Sequence, residues 1–488
     1  MAIEAARDWP LWWKVVVLLN ISFYNALGNM FAAGITALFG LIIQDFHCTV
    51  VEASRLSSYA LLALGLSNLL AIAVYQYIGK RYTVLISLAA FFAVNLWAAY
   101  ATSYNSLLAT RLVGGLFGGI IEALGPEMVV EMFDEQHLAR AMVVYVGFLA
   151  GGSAIGPVFA GLIGTGTRQW QWFFKLIAIC AGATLLSCII MLPETTPSGG
   201  PNHHYSDALE APGAQKENVE AIEHTQSSEA AVQSTISIWV RRSFRVRISE
   251  FQPEHNFFYL LAEPFMMLAA PAVLVTIIIF GLTIGWTVAS SIVLANVFQE
   301  PPLLFDARQV GLINLSPLVG IIIGLPVGGM LADFLSIRST KRNDGVHQCE
   351  SRLPAALMGG LVSPAGALII GYTLRNPAHW IGPTIGWGLL AFGLTASANP
   401  LLSYAADAYP SKAGNTGVLV NVIKNVLAFG VSFRSMNWYL EDGPVKQFGA
   451  MAGALWGAYL LVIPLYFFGR RIRNTRFELK LQGVTLTN

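Results

Sequence analysis

Charge is scarce in this sequence. Only 12% of its 488 residues are Asp, Glu, Lys or Arg, about half the share usual in soluble domains, while 55% are hydrophobic. No soluble core of this size hides so much apolar side chain. The 29 basic and 28 acidic residues leave a net charge of +1, so no long-range positive field recruits nucleic acid. Cysteine is scarce too. Cys48, Cys180, Cys188 and Cys349 show neither zinc-site spacing nor a disulfide framework, and they read as small apolar fillers. The sequence has no phosphate-cradling glycine loop, zinc-protease helix or nucleophile elbow. That excludes an ATP-driven pump and a membrane hydrolase. Neither enzymatic activity nor a cofactor is expected.

What the sequence has instead is long apolar runs. A spanning helix needs roughly 20 mainly apolar residues, and twelve windows meet that length: 14–43, 56–78, 83–102, 107–132, 141–164, 173–192, 269–297, 309–335, 353–374, 379–404, 414–439 and 448–468. The pattern predicts an all-α membrane protein of twelve transmembrane helices in two six-helix bundles. The expected domains are 1–194, a linker at 195–262, a second bundle at 263–473 and a tail at 474–488. The linker opens on a polar, acidic stretch that is expected to be disordered. It continues into a basic amphipathic segment containing "VRRSFRVR". The start, "MAIEAARDWPLWWK", carries acidic residues before an apolar run too long for a cleavable signal.

Orientation follows from the basic residues. Arg and Lys gather in alternate loops, at Lys80 and Arg81, Arg140, 241–247, 338–352 and 470–476. The other loops hold only isolated cations: Arg55, Arg168, Arg308, Arg375 and Lys446. Both termini and the linker are therefore expected in the cytoplasm, with the plasma membrane as the expected site.

Ionisable residues inside a bilayer are costly and mark functional positions. Arg111 and Glu122 lie in the fourth run, with Gly115 and Gly118 between them. Eleven residues of α-helix bring them within about 20° of one face, yet about 16 Å apart along the axis. They cannot pair with each other, and Glu122 falls near mid-membrane with no cation close by on its own helix. It is the expected proton-coupling or cation-binding group. Glu127 and Glu131 lie nearer the membrane surface and read as structural or gating. Lys424, at mid-depth in the eleventh run, needs an acidic partner, and Asp407 is the nearest in sequence. Asn25 and Asn29, Asn399 and Ser403, and Asn421 and Asn425 are i,i+4 polar pairs, a spacing that shares a helix face. Trp286 and Ser290 add an aromatic surface and a hydroxyl in the seventh run, while Trp380, Trp387, Trp438 and Tyr439 read as interface anchors or lipid-facing bulk.

The fifth run contains "GGSAIGPVFAG". Gly152, Gly156 and Ala160 recur every four residues and form a smooth stripe that permits close helix contact in lipid. Pro157 breaks one backbone hydrogen bond beside that stripe. The expectation is that this helix presses on a helix of the other bundle and rocks there.

Several motifs together resemble the major facilitator superfamily. "RLVGGLFGG" resembles its helix-4 arginine motif, and Gly152, Gly156, Pro157 and Gly161 match its helix-5 antiporter motif. The loop after the second run keeps Gly79, Lys80 and Arg81 of the family loop motif but has Ile72, Gln76 and Tyr77 elsewhere in it. The second half keeps the complementary Gly329 and Asp333, so the resemblance implies a gating charge relay there rather than in the first half. "EMFDEQHLARA", "RQWQWFFKL", "LPETT", "CESRLP" and "SYAADAYP" resemble the fungal drug:proton antiporter-1 branch, including its polyamine-transporter-like members.

The resemblance implies helices 1, 4, 7 and 10 around a central cavity, hence Asn25, Asn29, Glu122, Asn399 and Ser403 as cavity residues. It implies a monomeric secondary transporter that exchanges protons for a small organic molecule in export. Proton-coupled uptake of a cation or polyamine is the alternative within transport. A transport-inactive sensor signalling through the linker is the alternative outside it.

Overall fold

Among the described residues, twelve membrane passes account for the long helices. The computed structural model describes residues 6, 9–195, 256–342, 349–375, 379–409 and 412–473. The acidic and basic parts of the linker up to residue 255, and the tail, lie outside them. Eleven runs are long and apolar enough to cross a membrane. The first ten are α1 (Leu11–Phe46), α2 (Val50–Ile78), α3 (Lys80–Ala99), α4 (Tyr104–Met132), α5 (Glu135–Thr167), α6 (Gln171–Met191), α7 (Pro271–Val297), α8 (Ala307–Arg342), α9 (Leu353–Thr373) and α10 (Ile381–Ala408). The eleventh, Gly414–Gly469, has 56 residues. As one straight helix it would measure about 84 Å at 1.5 Å per residue, against a hydrocarbon core of roughly 30 Å. It breaks at Gly443, whose φ of 76° and ψ of 169° leave the helical region just before Pro444. α11 therefore covers 413–442 and α12 covers 444–469.

Helices are what an apolar chain must form in lipid, because only they satisfy every backbone group within one segment. Their ends are set by local chemistry. Thr49 and Glu52 form a reciprocal capping box before α2, Asp306 and Gln309 form another before α8, and Ser103 caps α4. All three lie on the face opposite the termini, here called the far face. The tight corner from α2 to α3 on the near face needs glycine, since Gly79 has φ 84°.

Two apolar cores result. One is built from residues 6–192 and the other from residues 267–465. Many large apolar side chains point outward, among them Ile86, Ile179, Ile322, Met330 and Leu361. In a membrane these faces meet lipid, so they are not patches awaiting a partner.

The bundles meet mainly in their far halves. α2 runs along α11, where Ser432 donates to Ser58 at 2.9 Å. Tyr59 stacks with Phe429 and Phe433, and Arg55 lies 5.0 Å over the Phe433 ring. The far end of α5 packs on the start of α8, where the Arg308 amide donates to Thr165 at 3.0 Å. Val310, Val418 and Val422 from the second half join the first core at these seams. These seams join the bundles toward the far face.

The stripe on α5 departs from expectation in its partner. Gly152 and Gly156 pack on Ala26 and Met30 of α1, within their own bundle. From Pro157 onward α5 also meets the other bundle, through Gly161 on Ala307 and through Pro157 and Val158 on Gly311 of α8. α1 stays against it there, with Leu38 and Leu41 at Gly164, so beyond Pro157 the helix is held from both bundles. Before Pro157 the partner is α1 alone in these contacts, because α1 and α5 run parallel as neighbours of one bundle, where small residues let backbones touch.

Candidate functional site

Glycines bring the site together. α4 is broken at Gly119 into Tyr104–Gly118 and Ile120–Met132. Around that break Gly114 meets Phe31 of α1, Gly115 meets Ala60 and Ala63 of α2, Gly118 meets Phe91 of α3, and Gly119 meets Leu64 and Ser67 of α2. No side chain larger than hydrogen fits these approaches without movement. Glu122 follows in the first turn of the second segment and is only 4% exposed. From the other bundle, α11 reaches inward because Gly65 of α2 lets Val422 and Asn425 lie against it.

The two approaches meet in an ion pair. Lys424 Nζ lies 2.5 Å from Glu122 Oε1, and the side chains are 7% and 5% exposed. Asn425 Nδ2 donates to Glu122 Oε2 at 3.5 Å. The Phe280 ring of α7 has its centroid 5.5 Å from the ammonium. Beside the carboxylate, Tyr145 of α5 is buried against Gly125 and donates to the Ile121 carbonyl at 2.7 Å. Either charge alone at this depth would be costly. Together they compensate each other, and removing one partner strands the other.

Lys424 therefore takes Glu122 as its acid, and the expected Asp407 is committed elsewhere. Asp407 accepts from Arg352 at 2.6 Å near the α9 start. Nearness in sequence is a poorer guide than the packing of α11 against α2, which aims Lys424 at α4. Arg111 is fully buried and far from the pair. Its guanidinium donates to the carbonyls of Leu56 (3.1 Å), Phe31 (2.6 Å) and Ala32 (3.0 Å), 3.9 Å over the Phe31 ring. It ties α1 and α2 to α4.

The remaining expected residues scatter. Asn29 donates to the Asn25 carbonyl at 3.0 Å and to its Oδ1 at 3.2 Å, and Asn25 also faces the Tyr145 hydroxyl beside Glu122. Trp286 packs on Trp438 of α11, and the Ser290 hydroxyl donates to the Trp286 carbonyl at 2.8 Å. Trp387 is 3% exposed and donates to the Thr287 carbonyl. Trp387 and Trp438 are thus packing residues of the second bundle rather than lipid-facing bulk. Ser403 is half-buried on α10, while the side chain of Asn399 lies outside the described residues.

The loop motifs form a second charged group on the near face. Lys80 Nζ lies 3.0 Å from Glu127 and 2.6 Å from Glu131. Glu194, just past α6, accepts the backbone amides of Lys80 and Arg81 at 3.1 Å each, which caps α3. Arg81 donates to the Ile189 carbonyl at 3.0 Å. In the second half, Asp333 is exposed on α8 and Gly329 is half-buried. Among the described residues no ion pair holds Asp333.

Sequence reasoning missed Tyr145, Phe280, Gly65 and Glu194. Tyr145 and Phe280 sit unmarked inside apolar runs. Glu194 carries a signal in hindsight, an acid directly after a membrane helix. Among the described residues no cluster of three His, Cys, Asp or Glu could hold a metal ion, and all four cysteines are free thiols.

Known proteins place this architecture. An uncharacterized transporter of Schizosaccharomyces pombe is 23% identical over 480 residues, covering 96% of this chain and 92% of its own length. The efflux pump FUB11 of Gibberella fujikuroi is 26% identical over 391 residues, covering 78% of this chain and 62% of its own. The crystal structure of a peptide transporter in complex with alafosfalin superposes with a TM-score of 0.62 at 13% identity, covering 93% of this chain and 94% of that one. The family model of the Major Facilitator Superfamily matches residues 18–432. The two six-helix bundles, with their membrane-length helices and glycine-mediated approaches, are those of a multi-pass membrane transporter, and the chain belongs to the major facilitator superfamily.

Proposed function

We propose that this transporter exports a small organic molecule in exchange for protons, and that the Glu122–Lys424 pair couples the two movements. The observation that carries this is the placement of the pair: one charge from each bundle, both buried, joined across the axis about which the bundles would rock. A link of this kind holds the bundles in one arrangement until something changes its charge. A proton or a charged substrate does so. The name of FUB11, an efflux pump, supports export over uptake.

In this reading residues 1–194 rock against 263–473, and the near face is cytoplasmic, in the plasma membrane. The far-face seams along α2–α11 and α5–α8 then seal the outer side, and the site opens inward. Asn25, Asn29 and Ser403 line the path. Lys80, Arg81, Glu127 and Glu131 close the near face on the opposite stroke. Arg111, with its guanidinium held by three carbonyls, is a structural brace. A monomer suffices, since both halves of the pair come from one chain.

The experiment is flux in membrane vesicles under an imposed pH gradient, using the compounds whose levels differ between cells with and without the gene. Antiport moves them against the proton flow. Movement with the protons would establish uptake by symport and overturn the export reading.

A further inference from the structure

This inference rests on the antiport reading and names its substrate class. Glu122 already holds an ammonium group. Lys424 Nζ sits on the carboxylate, Asn425 adds an amide, and the Phe280 ring lies 5.5 Å from the charge. A carboxylate, an amide and an aromatic face are the groups that hold an organic ammonium in a site with little water. Lys424 is the chain's own occupant of that site.

Charge counting then ties substrate to coupling. From α4 the pair is faced by Glu122 alone, because Glu127 and Glu131 are taken by Lys80. From α5 it is faced by Tyr145, whose hydroxyl is bonded to Ile121. α7 contributes the uncharged Phe280, and α2 sets Tyr59 and Arg55 against α11 toward the far face, on Phe429 and Phe433, more than a turn from Asn425. Arg111 is bound to carbonyls, and Asp407 to Arg352. Among the described residues the site is neutral, so any added charge must displace one of the pair.

An anionic substrate would take Lys424 and leave Glu122 to bind a proton. Proton and substrate would then ride together, which is symport. A cationic substrate takes Glu122 and competes with the proton on the pair, which is exchange.

We propose that the exported compound is an organic cation, of the amine or guanidine type, that docks on Glu122 while Lys424 gives up the proton. The substrate's ion pair with the Glu122 carboxylate forms as the Lys424–carboxylate pair breaks. One Lys424 Nζ–H bond breaks, its electron pair stays on nitrogen as a neutral amine, and the proton passes to water on the open side. The site is neutral before and after, and one cation replaces one proton. Two ammonium groups sharing one buried carboxylate would leave a charge without a partner. On the opposite side the steps reverse, and reprotonated Lys424 expels the cation.

The test compares three strains: one lacking the gene, one with the wild-type chain and one with Lys424→Arg. Gene-dependent compounds in cells and medium are sorted by charge at pH 7, and membrane abundance of each chain is measured. A guanidinium keeps the pair with Glu122 but does not release a proton. The expected result is that exported compounds are cations and that Lys424→Arg lowers their export at least tenfold at unchanged abundance. Neutral or anionic export overturns the proposal while leaving proton-driven transport standing. So does wild-type export by Lys424→Arg. If that variant fails to reach the membrane, the charge class of the exported compounds decides alone. No gene-dependent compound at all overturns the antiport reading itself.

Discussion

Replacing Lys424 with Met removes the ammonium while keeping most of the side-chain volume. It leaves the Glu122 carboxylate buried at 5% exposure, with a 3.5 Å amide contact from Asn425. Breaking a buried pair on one side costs about 3–5 kcal/mol. At roughly 2–4 °C per kcal/mol for a unit of bundle size, the melting temperature should fall by about 6–20 °C. Adding Glu122→Gln removes the stranded charge, and an uncharged replacement of both partners is often close to neutral. The double variant should therefore recover most of the loss. Thermal unfolding in detergent, followed by tryptophan fluorescence, measures all four members of the cycle. A Lys424→Met shift below about 1 °C, or a double variant no more stable than the single, would refute the buried link between the bundles.

Three other outcomes follow. Gly156→Leu puts a side chain where a Cβ alone would stand 2.9 Å from Met30 Cγ and 3.0 Å from its backbone. Overpacking of this kind costs about 1–3 kcal/mol, so transport should be lost while folded protein is still found at the membrane; undiminished flux counts against a tight α1–α5 contact. Arg111→Lys cannot reach three carbonyls with a planar fork, and the prediction is a lower melting temperature with substrate selectivity unchanged among the molecules that remain folded. Lys80→Met strands Glu127 and Glu131 against each other, and should lower stability by several kcal/mol, a loss that Glu131→Gln in the same chain partly reverses.

The passes were legible because lipid demands a length and an apolar composition, and both are local properties. The sequence windows and the helices agree closely, including the twelfth pass hidden behind the break at Gly443. Glu122 was legible for a similar reason: a lone carboxylate at mid-depth is conspicuous. Its partner was not, because Glu122 and Lys424 are 302 residues apart. Nothing periodic encodes that meeting. It depends on Gly65 admitting α11 and on the break at Gly119, where the glycines were visible but their partners were not. The stripe on α5 failed in the same way. Its spacing told of a close approach and was silent on whether α1 or α8 would be there. Trp387 misled because an indole near a helix end suits a lipid headgroup as well as a buried carbonyl.

Proton-driven flux through the Glu122→Gln protein tests the coupling role most directly. The amide keeps the shape of the side chain and the contact with Asn425, and it removes the charge that Lys424 faces. In vesicles with an imposed pH gradient, the account predicts that substrate movement in this variant no longer responds to acidification, while the wild-type chain's does. Equal acid-driven movement by both would contradict it.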